Sequence, residues 1–263
     1  MRVLAIQFDI AWEDWGANFL SVSRMLDAED VPGGSLVVLP EMFATGFSLD
    51  VEATSPAQAE TETFLGELAR KFGVFVCGGL AGGDRNGALQ NQALLFGPEG
   101  QTIARYAKLH PFTLMEEQRV HAPGRDVVLS RVGDLTVSPL ICYDLRFPEE
   151  FRLAVSRGAE VFLVLANWPA QRSDHWRTLL VARAIENQAY VVGVNRCGCD
   201  PNNDYAGGSL IVGPKGDVLA EGGREPQIIQ AELNPASLRA YRKEFPVLKD
   251  LRRGNGANNT QIL

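Results

Sequence analysis

Cys142 is the residue from which a chemistry can be argued. It closes the apolar part of SPLICYDLRFPEE (138–150), and the chain turns charged at once with Asp144, Arg146, Glu149 and Glu150. Free cysteines are among the most buried residues, so a thiol serving only the core belongs inside such a run. One at its boundary raises the question of a nucleophile, although Cys142 taken alone reads as a buried thiol. A thiol attacks as its thiolate, which calls for a base, a nearby cation, or both. Histidine is the usual base, and the chain has three: His110, His121 and His175. None stands at a strand end beside a glycine-rich turn, so a cysteine–histidine hydrolase is a rival without a motif. A buried carboxylate can serve instead. Glu41, after the apolar strand and proline of SLVVLPE (35–41), has that setting. Lys108, in YAKLHPF (106–112), would favour the thiolate and stabilise an oxyanion. Taken singly, Glu41 and Lys108 read as ordinary surface charges; only their company changes that.

These residues need a frame to bring them together. Short β-rich runs alternate with helical stretches, which predicts α/β layers. Strands are expected over 2–8, 35–39, 74–79, 91–96, 101–106, 135–141, 160–166, 189–195, 207–212 and 227–232, and helices over 16–28, 57–72, 148–157, 174–187 and 235–243. GPEG (97–100) and GPKG (213–216) are tight-turn signals, so a hairpin is expected at each, a hint of internal duplication. Strands end abruptly at Glu41, at Cys142 and at Asn167–Trp168. Ligands of open α/β sheets bind beyond the carboxyl ends of strands, so one rim should gather these residues. Trp168 is expected to line an acyl pocket, with Phe43 and Thr45 as its opposite wall. Arg146 either clamps a substrate carboxylate, which its guanidinium fork matches, or pairs with Asp144, Glu149 or Glu150. Ser173 is expected to cap the helix over 174–187 and Asp174 to face its dipole. That helix carries apolar residues on several faces, and His175 reads as structural.

Composition bounds the function classes. The 263 residues carry a net charge of −7, and no basic stripe suits a nucleic acid. No apolar run of about 18 residues predicts a membrane span, and the N-terminus reads as a first strand, so the cytoplasm is expected. Four cysteines, Cys77, Cys142, Cys197 and Cys199, fit a reducing compartment better than a disulfide framework. The Cys197–Cys199 pair lacks the further ligands a zinc site needs. The tail over 253–263 is polar and glycine-rich, expected to be loose.

Three motifs carry a resemblance. LPEMFATGF around Glu41, YAKLHPF around Lys108 and PLICYDLRFP around Cys142 resemble, in order, those of the nitrilase superfamily, the carbon–nitrogen hydrolases. The segment 167–196, NWPAQRSDHWRTLLVARAIENQAYVVGVNR, resembles the one that follows the cysteine motif there. The likeness runs to about residue 252 as one hydrolase domain. Within the superfamily, MFATGF, CYDLRFP, NWPA and YRKEFP are most similar to bacterial-type omega-amidases. The resemblance implies a four-layer αββα sandwich with pseudo-twofold halves, often dimerised through helices. It implies a Glu41–Lys108–Cys142 triad, a thioester intermediate, and an oxyanion held by Lys108 and the Tyr143 backbone N–H. It implies no metal and no organic cofactor. Glu117, nine residues after Lys108, falls where the family often has a second carboxylate, with Glu116 its rival. The implied substrate is a small ω-amido-2-oxo acid such as 2-oxoglutaramate. Sister activities on the same triad are nitrilase, N-carbamoyl amino-acid hydrolase and deaminated-glutathione amidase. A non-catalytic interaction protein on the same scaffold would be expected to lack part of the triad.

Overall fold

The structure is a computed structural model and describes residues 1–84 and 87–251. The tail expected over 253–263 lies outside the described residues. In chain order, β1 (Arg2–Gln7), α1 (Trp15–Asp27), β2 (Leu36–Val38), α2 (Val51–Thr54), α3 (Ala57–Phe72) and β3 (Phe75–Gly83) lead to the hairpin β4 (Leu89–Phe96) and β5 (Thr102–Ala107). There follow β6 (Ser130–Val132), β7 (Leu135–Ile141), α4 (Pro148–Ser156), β8 (Val161–Ala166), α5 (Ser173–Asn187) and β9 (Tyr190–Asn195). The chain ends through β10 (Cys197–Cys199), β11 (Asp204–Ala206), β12 (Leu210–Val212), β13 (Val218–Glu221), β14 (Gln227–Glu232) and α6 (Pro235–Glu244).

Two six-stranded sheets result, ordered β14-β1-β2-β3-β4-β5 and β13-β12-β9-β8-β7-β6. Each has a parallel trio, β1–β2–β3 or β7–β8–β9, extended by an antiparallel hairpin, β4–β5 or β12–β13. The two expected tight turns close alike. Gly97 N donates to Gln101 O (2.9 Å) and Gly213 N to Asp217 O (2.8 Å). Gly100 and Gly216 both take positive φ, +78° and +88°, a conformation glycine reaches without steric cost. The hint of duplication is therefore realised as two similarly built halves.

Strand alternation explains the layering. Val3 and Ala5 of β1 point into the core between the sheets, while Leu4 and Ile6 join a second cluster with Val22 and Leu26 of α1 and Leu65 and Leu68 of α3. Both faces are covered, which is why these strands read as unbroken apolar runs. α4 and α5 cover the second sheet, through Phe151, Ala154, Trp176 and Leu180. The order is helices, sheet, sheet, helices, the expected sandwich. No helix among the described residues is long and apolar enough to cross a membrane.

The sequence reading missed β6, β10, β11 and β13. Three of these have only three residues, too few to show a period, and β13 is largely exposed. The strand expected over 207–212 begins only at Leu210, because Gly207 and Gly208 take φ of +65° and +70°. Ser173 does not cap α5. Ala170–Arg172 already form a 3-10 turn, so Ser173 enters with helical dihedrals and makes no cap bond.

Candidate active site

Cys142 follows β7 and opens a short 3-10 turn, Cys142–Arg146. Its φ of +44° is unfavourable for a residue with a Cβ. The turn is held by Asp144, which is fully buried. One Asp144 oxygen accepts from Ile141 N (2.9 Å) and Tyr106 OH (2.7 Å), the other from His110 N (2.9 Å). Arg183 donates to Leu145 O from Nε and Nη2 (3.2 and 2.8 Å). Of the four charges in this stretch, Asp144 is thus the anchor of the turn.

Glu41 sits just beyond β2 on a turn laid against β3. Leu39 N donates to Cys77 O, Gly79 N to Pro40 O and Phe43 N to Gly79 O. The approach is so close that a Cβ on Gly79 would stand 2.6 Å from Glu41 Cα and 2.7 Å from Met42 N. Lys108 follows β5, and Glu117 lies in a 3-10 turn over Glu117–Arg119.

These elements converge on one charged knot. Lys108 Nζ donates to Glu41 Oε1 (2.9 Å) and Glu117 Oε2 (2.8 Å). Asn91 Nδ2 bridges the same two carboxylates, at 2.7 Å from Glu41 Oε1 and 2.9 Å from Glu117 Oε1. Phe112 N donates to Glu117 Oε2 (2.6 Å), and Asn167 N to Glu41 Oε2 (2.8 Å). The charged groups are buried; Lys108 is 2% exposed and both glutamates 0%. Glu116 points away, to Arg119 (2.8 Å) on the surface, so of the two rivals Glu117 is the one in the knot.

The electrostatics follow from that packing. Burial alone would push the Lys108 ammonium down, but Glu41 and Glu117 outweigh it and hold its pKa above the usual value. Burial opposes ionisation of Glu117 as well, yet Lys108, helped by His121 and Asn91, lowers it to about 2. Burial raises the Cys142 thiol well above its ordinary value; Glu41 adds to that and Lys108 opposes it. The thiol is therefore held in its neutral form beside the Lys108 ammonium.

Cys142 lies on the wall of a cleft whose lining includes Glu41, Phe47, Lys108, Met115, Tyr143, Arg146, Trp168 and Tyr205. Trp168 is on this wall. Phe43 is not: its ring packs on Phe19 and Phe64 (6.0 and 6.1 Å) in the cluster beneath the helices. Thr45 is buried, with its hydroxyl donating to Gly46 O (3.0 Å), and does not line the cleft. Phe47 supplies the wall assigned to them, since the turn after Glu41 sends Phe43 inward. Arg146 stacks on Trp168, 4.7 Å from the ring. It does not pair with Asp144, Glu149 or Glu150: Asp144 is committed to Tyr106 and His110, Glu150 faces His110, and among the described residues Arg146 makes no ion pair.

The histidines have other partners. His110 Nδ1 lies 3.0 Å from Asp144 Oδ1 and its ring stacks on Phe147. His121 lies against Glu117 (3.5 Å), and His175 Nδ1 is 3.4 Å from Arg146 Nη2. Sequence reasoning missed Asn91, Asn167 and Arg172. Asn91 lies mid-strand in β4, where nothing local sets it apart, and Asn167 was read only as a strand end. Arg172 falls inside the segment 167–196 and was not singled out.

Comparison with known proteins bears on this arrangement. Residues 2–243 match the carbon–nitrogen hydrolase family. The chain is 37% identical to the 2-oxoglutaramate amidase of Bacillus subtilis over 95% of its length and 97% of that protein's. It is 35% identical to the deaminated glutathione amidase of Synechocystis, covering 88% of this chain and 91% of that one. A crystal structure from Xanthomonas campestris, a CN-hydrolase superfamily protein with an arsenic adduct in its active site, superposes with a TM-score of 0.90 at 30% identity, covering 96% and 97% of the two chains.

Proposed function

Because the chain belongs to the carbon–nitrogen hydrolase family, we propose that this amidase hydrolyses the terminal amide of small ω-amido-2-oxo acids, 2-oxoglutaramate among them, through a thioester on Cys142. The observation that carries the reading is the buried knot of Lys108 with two carboxylates beside a thiol at the cleft wall.

Glu41 takes the thiol proton as Sγ attacks the amide carbon. The pair suits this transfer because the thiol holds its proton until a substrate arrives. The developing oxyanion meets the Lys108 ammonium and the Tyr143 N–H, which stands at the start of a 3-10 turn where N–H groups lack an upstream partner. Glu41 returns the proton to nitrogen, the carbon–nitrogen bond breaks, and ammonia leaves a thioester. A water then attacks the thioester carbonyl, its proton passing to Glu41. The carbon–sulfur bond breaks, the acid is released, and Glu41 reprotonates the thiol. Glu117 keeps Lys108 charged and aimed. The chain's own residues supply every proton transfer, so no cofactor enters the scheme.

The substrate class is supported by Arg146, a guanidinium in the cleft without a carboxylate partner, and by the activity named for the Bacillus relative. A deaminated-glutathione amidase is the second reading, favoured by the Synechocystis relative. Four free cysteines support a reducing location, the cytoplasm, and the resemblance supports a homodimer. The test is ammonia release from 2-oxoglutaramate by the protein and by Cys142→Ala. Release by the first alone is expected. Release by both removes Cys142 as nucleophile; release by neither removes this substrate and sends the pair to other amides, carbamoyl compounds and nitriles.

A further inference from the structure

Arg146 is not alone in the cleft. Arg172 lines it too, its guanidinium 5.9 Å from the Phe112 ring. Among the described residues neither arginine makes an ion pair with a carboxylate, whereas nine other arginines do, in a chain whose net charge is −7. One residue sets both in place. The Trp168 ring carries Arg146 on its face at 4.7 Å, and its Nε1 donates to the Arg172 carbonyl at 2.8 Å. Trp168 is itself fixed by an exchange of bonds with Asn195: Trp168 N donates to Asn195 Oδ1 (2.7 Å) and Asn195 Nδ2 to Trp168 O (3.0 Å). Asn195 ends β9, so the support belongs to the second sheet rather than to a free loop. Two like charges held in one cleft with no counter-ion raise each other's energy, a cost that an anionic ligand removes.

We propose that Arg172 acts with Arg146 as a two-guanidinium clasp for the carboxylate end of the substrate, making Arg172 a specificity-determining residue. The clasp rests on the acidic-amide reading above and deepens it. The amide end must reach Cys142 while the carboxylate meets the arginines, so the clasp selects short amides with an anion at the far end. Uncharged amides of the same length leave both guanidiniums unpaired.

The experiment separates the clasp from the identity of the substrate. Binding of glutaramate, which carries a carboxylate and an amide without the 2-oxo group, is measured calorimetrically on the unreactive Cys142→Ala protein. The same is done with Arg172→Gln and Arg172→Lys added, with butyramide as the uncharged analogue that lacks the carboxylate and thermal melting as the check on folding. Arg172→Gln is expected to weaken glutaramate binding roughly 10- to 100-fold, the range for a charge-assisted hydrogen bond. Arg172→Lys should recover part of it, and butyramide binding should change far less than glutaramate binding. Equal affinity for glutaramate with and without Arg172, equal losses for both ligands, or no binding of glutaramate to the parent protein would each overturn the clasp. Turnover of 2-oxoglutaramate by the otherwise unchanged enzyme reads the substrate separately. Its absence, with glutaramate binding still dependent on Arg172, removes the substrate and leaves the clasp. Its presence with Arg172 silent does the reverse.

Discussion

At the residue scale the site is an arrangement of buried charges that survives only because each has partners. Burying an unpaired ion costs several kcal/mol or more; here one ammonium is shared between two carboxylates, and one asparagine amide ties the carboxylates together. Replacing the proposed base by Glu41→Gln should lower kcat by about 10³-fold, within the range for general acid–base catalysis, while the protein stays folded. Retained turnover would return attention to the histidines. Asn91→Leu removes the donor common to Glu41 and Glu117 and should lower kcat about tenfold or more with a smaller change in KM. A KM effect alone would mean that Asn91 does not position the base. Glu117 supplies a pH signature. Its carboxyl titrates near 2 in the folded chain against 4.5 ordinarily, so the unfolded state binds its proton first as the pH falls. The stability it contributes is full above about pH 4.5 and is lost as the pH drops toward 2. Urea midpoints between pH 2 and 5 should fall less steeply in Glu117→Gln than in the parent.

At the scale of elements, the candidate site residues stand where strands stop, and the turns that follow are stiffened from beneath. The turn at Glu41 lies on β3 only because residue 79 has no side chain. Gly79→Ala would place a methyl against immovable backbone, and a loss of about 1–3 kcal/mol is expected, as for other overpacked sites, together with reduced kcat as Glu41 shifts. A chemical melt and a rate measurement on one preparation read both; a stable variant with full activity would show that the turn can slide. The hairpins β4–β5 and β12–β13 occupy matching places in their sheets, but only the first carries site residues, Asn91 on β4 and Lys108 just past β5.

At the scale of the whole molecule, the site is shared between the halves. Glu41, Asn91 and Lys108 come from the first sheet, Cys142 and Asn167 from the second. Asn167 bonds across to Glu41 through N and Nδ2, the latter to Glu41 O at 2.7 Å. Tyr106, from the first sheet, reaches across to Asp144 beneath Cys142 (2.7 Å). Tyr106→Phe should therefore cost about 1–3 kcal/mol for a buried acceptor left short of a donor. It should also slow acylation, because the Cys142 turn loses its tie to the half that carries the proposed base. A variant that melts lower with unchanged acylation would confine Tyr106 to stability.

Sequence alone determined what depends on local pattern and residue type. Apolar runs with polar ends gave the central strands, GPEG and GPKG gave both hairpin turns, and three ordered motifs gave Glu41, Lys108 and Cys142. These are legible because chain neighbours carry the signal. Tertiary structure decided what depends on residues far apart in the chain. Asn91 gains its meaning from carboxylates 50 residues before and 26 after it. Phe43 turns inward and Phe47 faces the cleft because of how one turn lies on β3. Arg146 is left unpaired because Asp144, two residues away, is already bound to Tyr106 and His110. The three-residue edge strands and the partner of each buried charge are likewise set by packing between sheets, which no local spacing encodes.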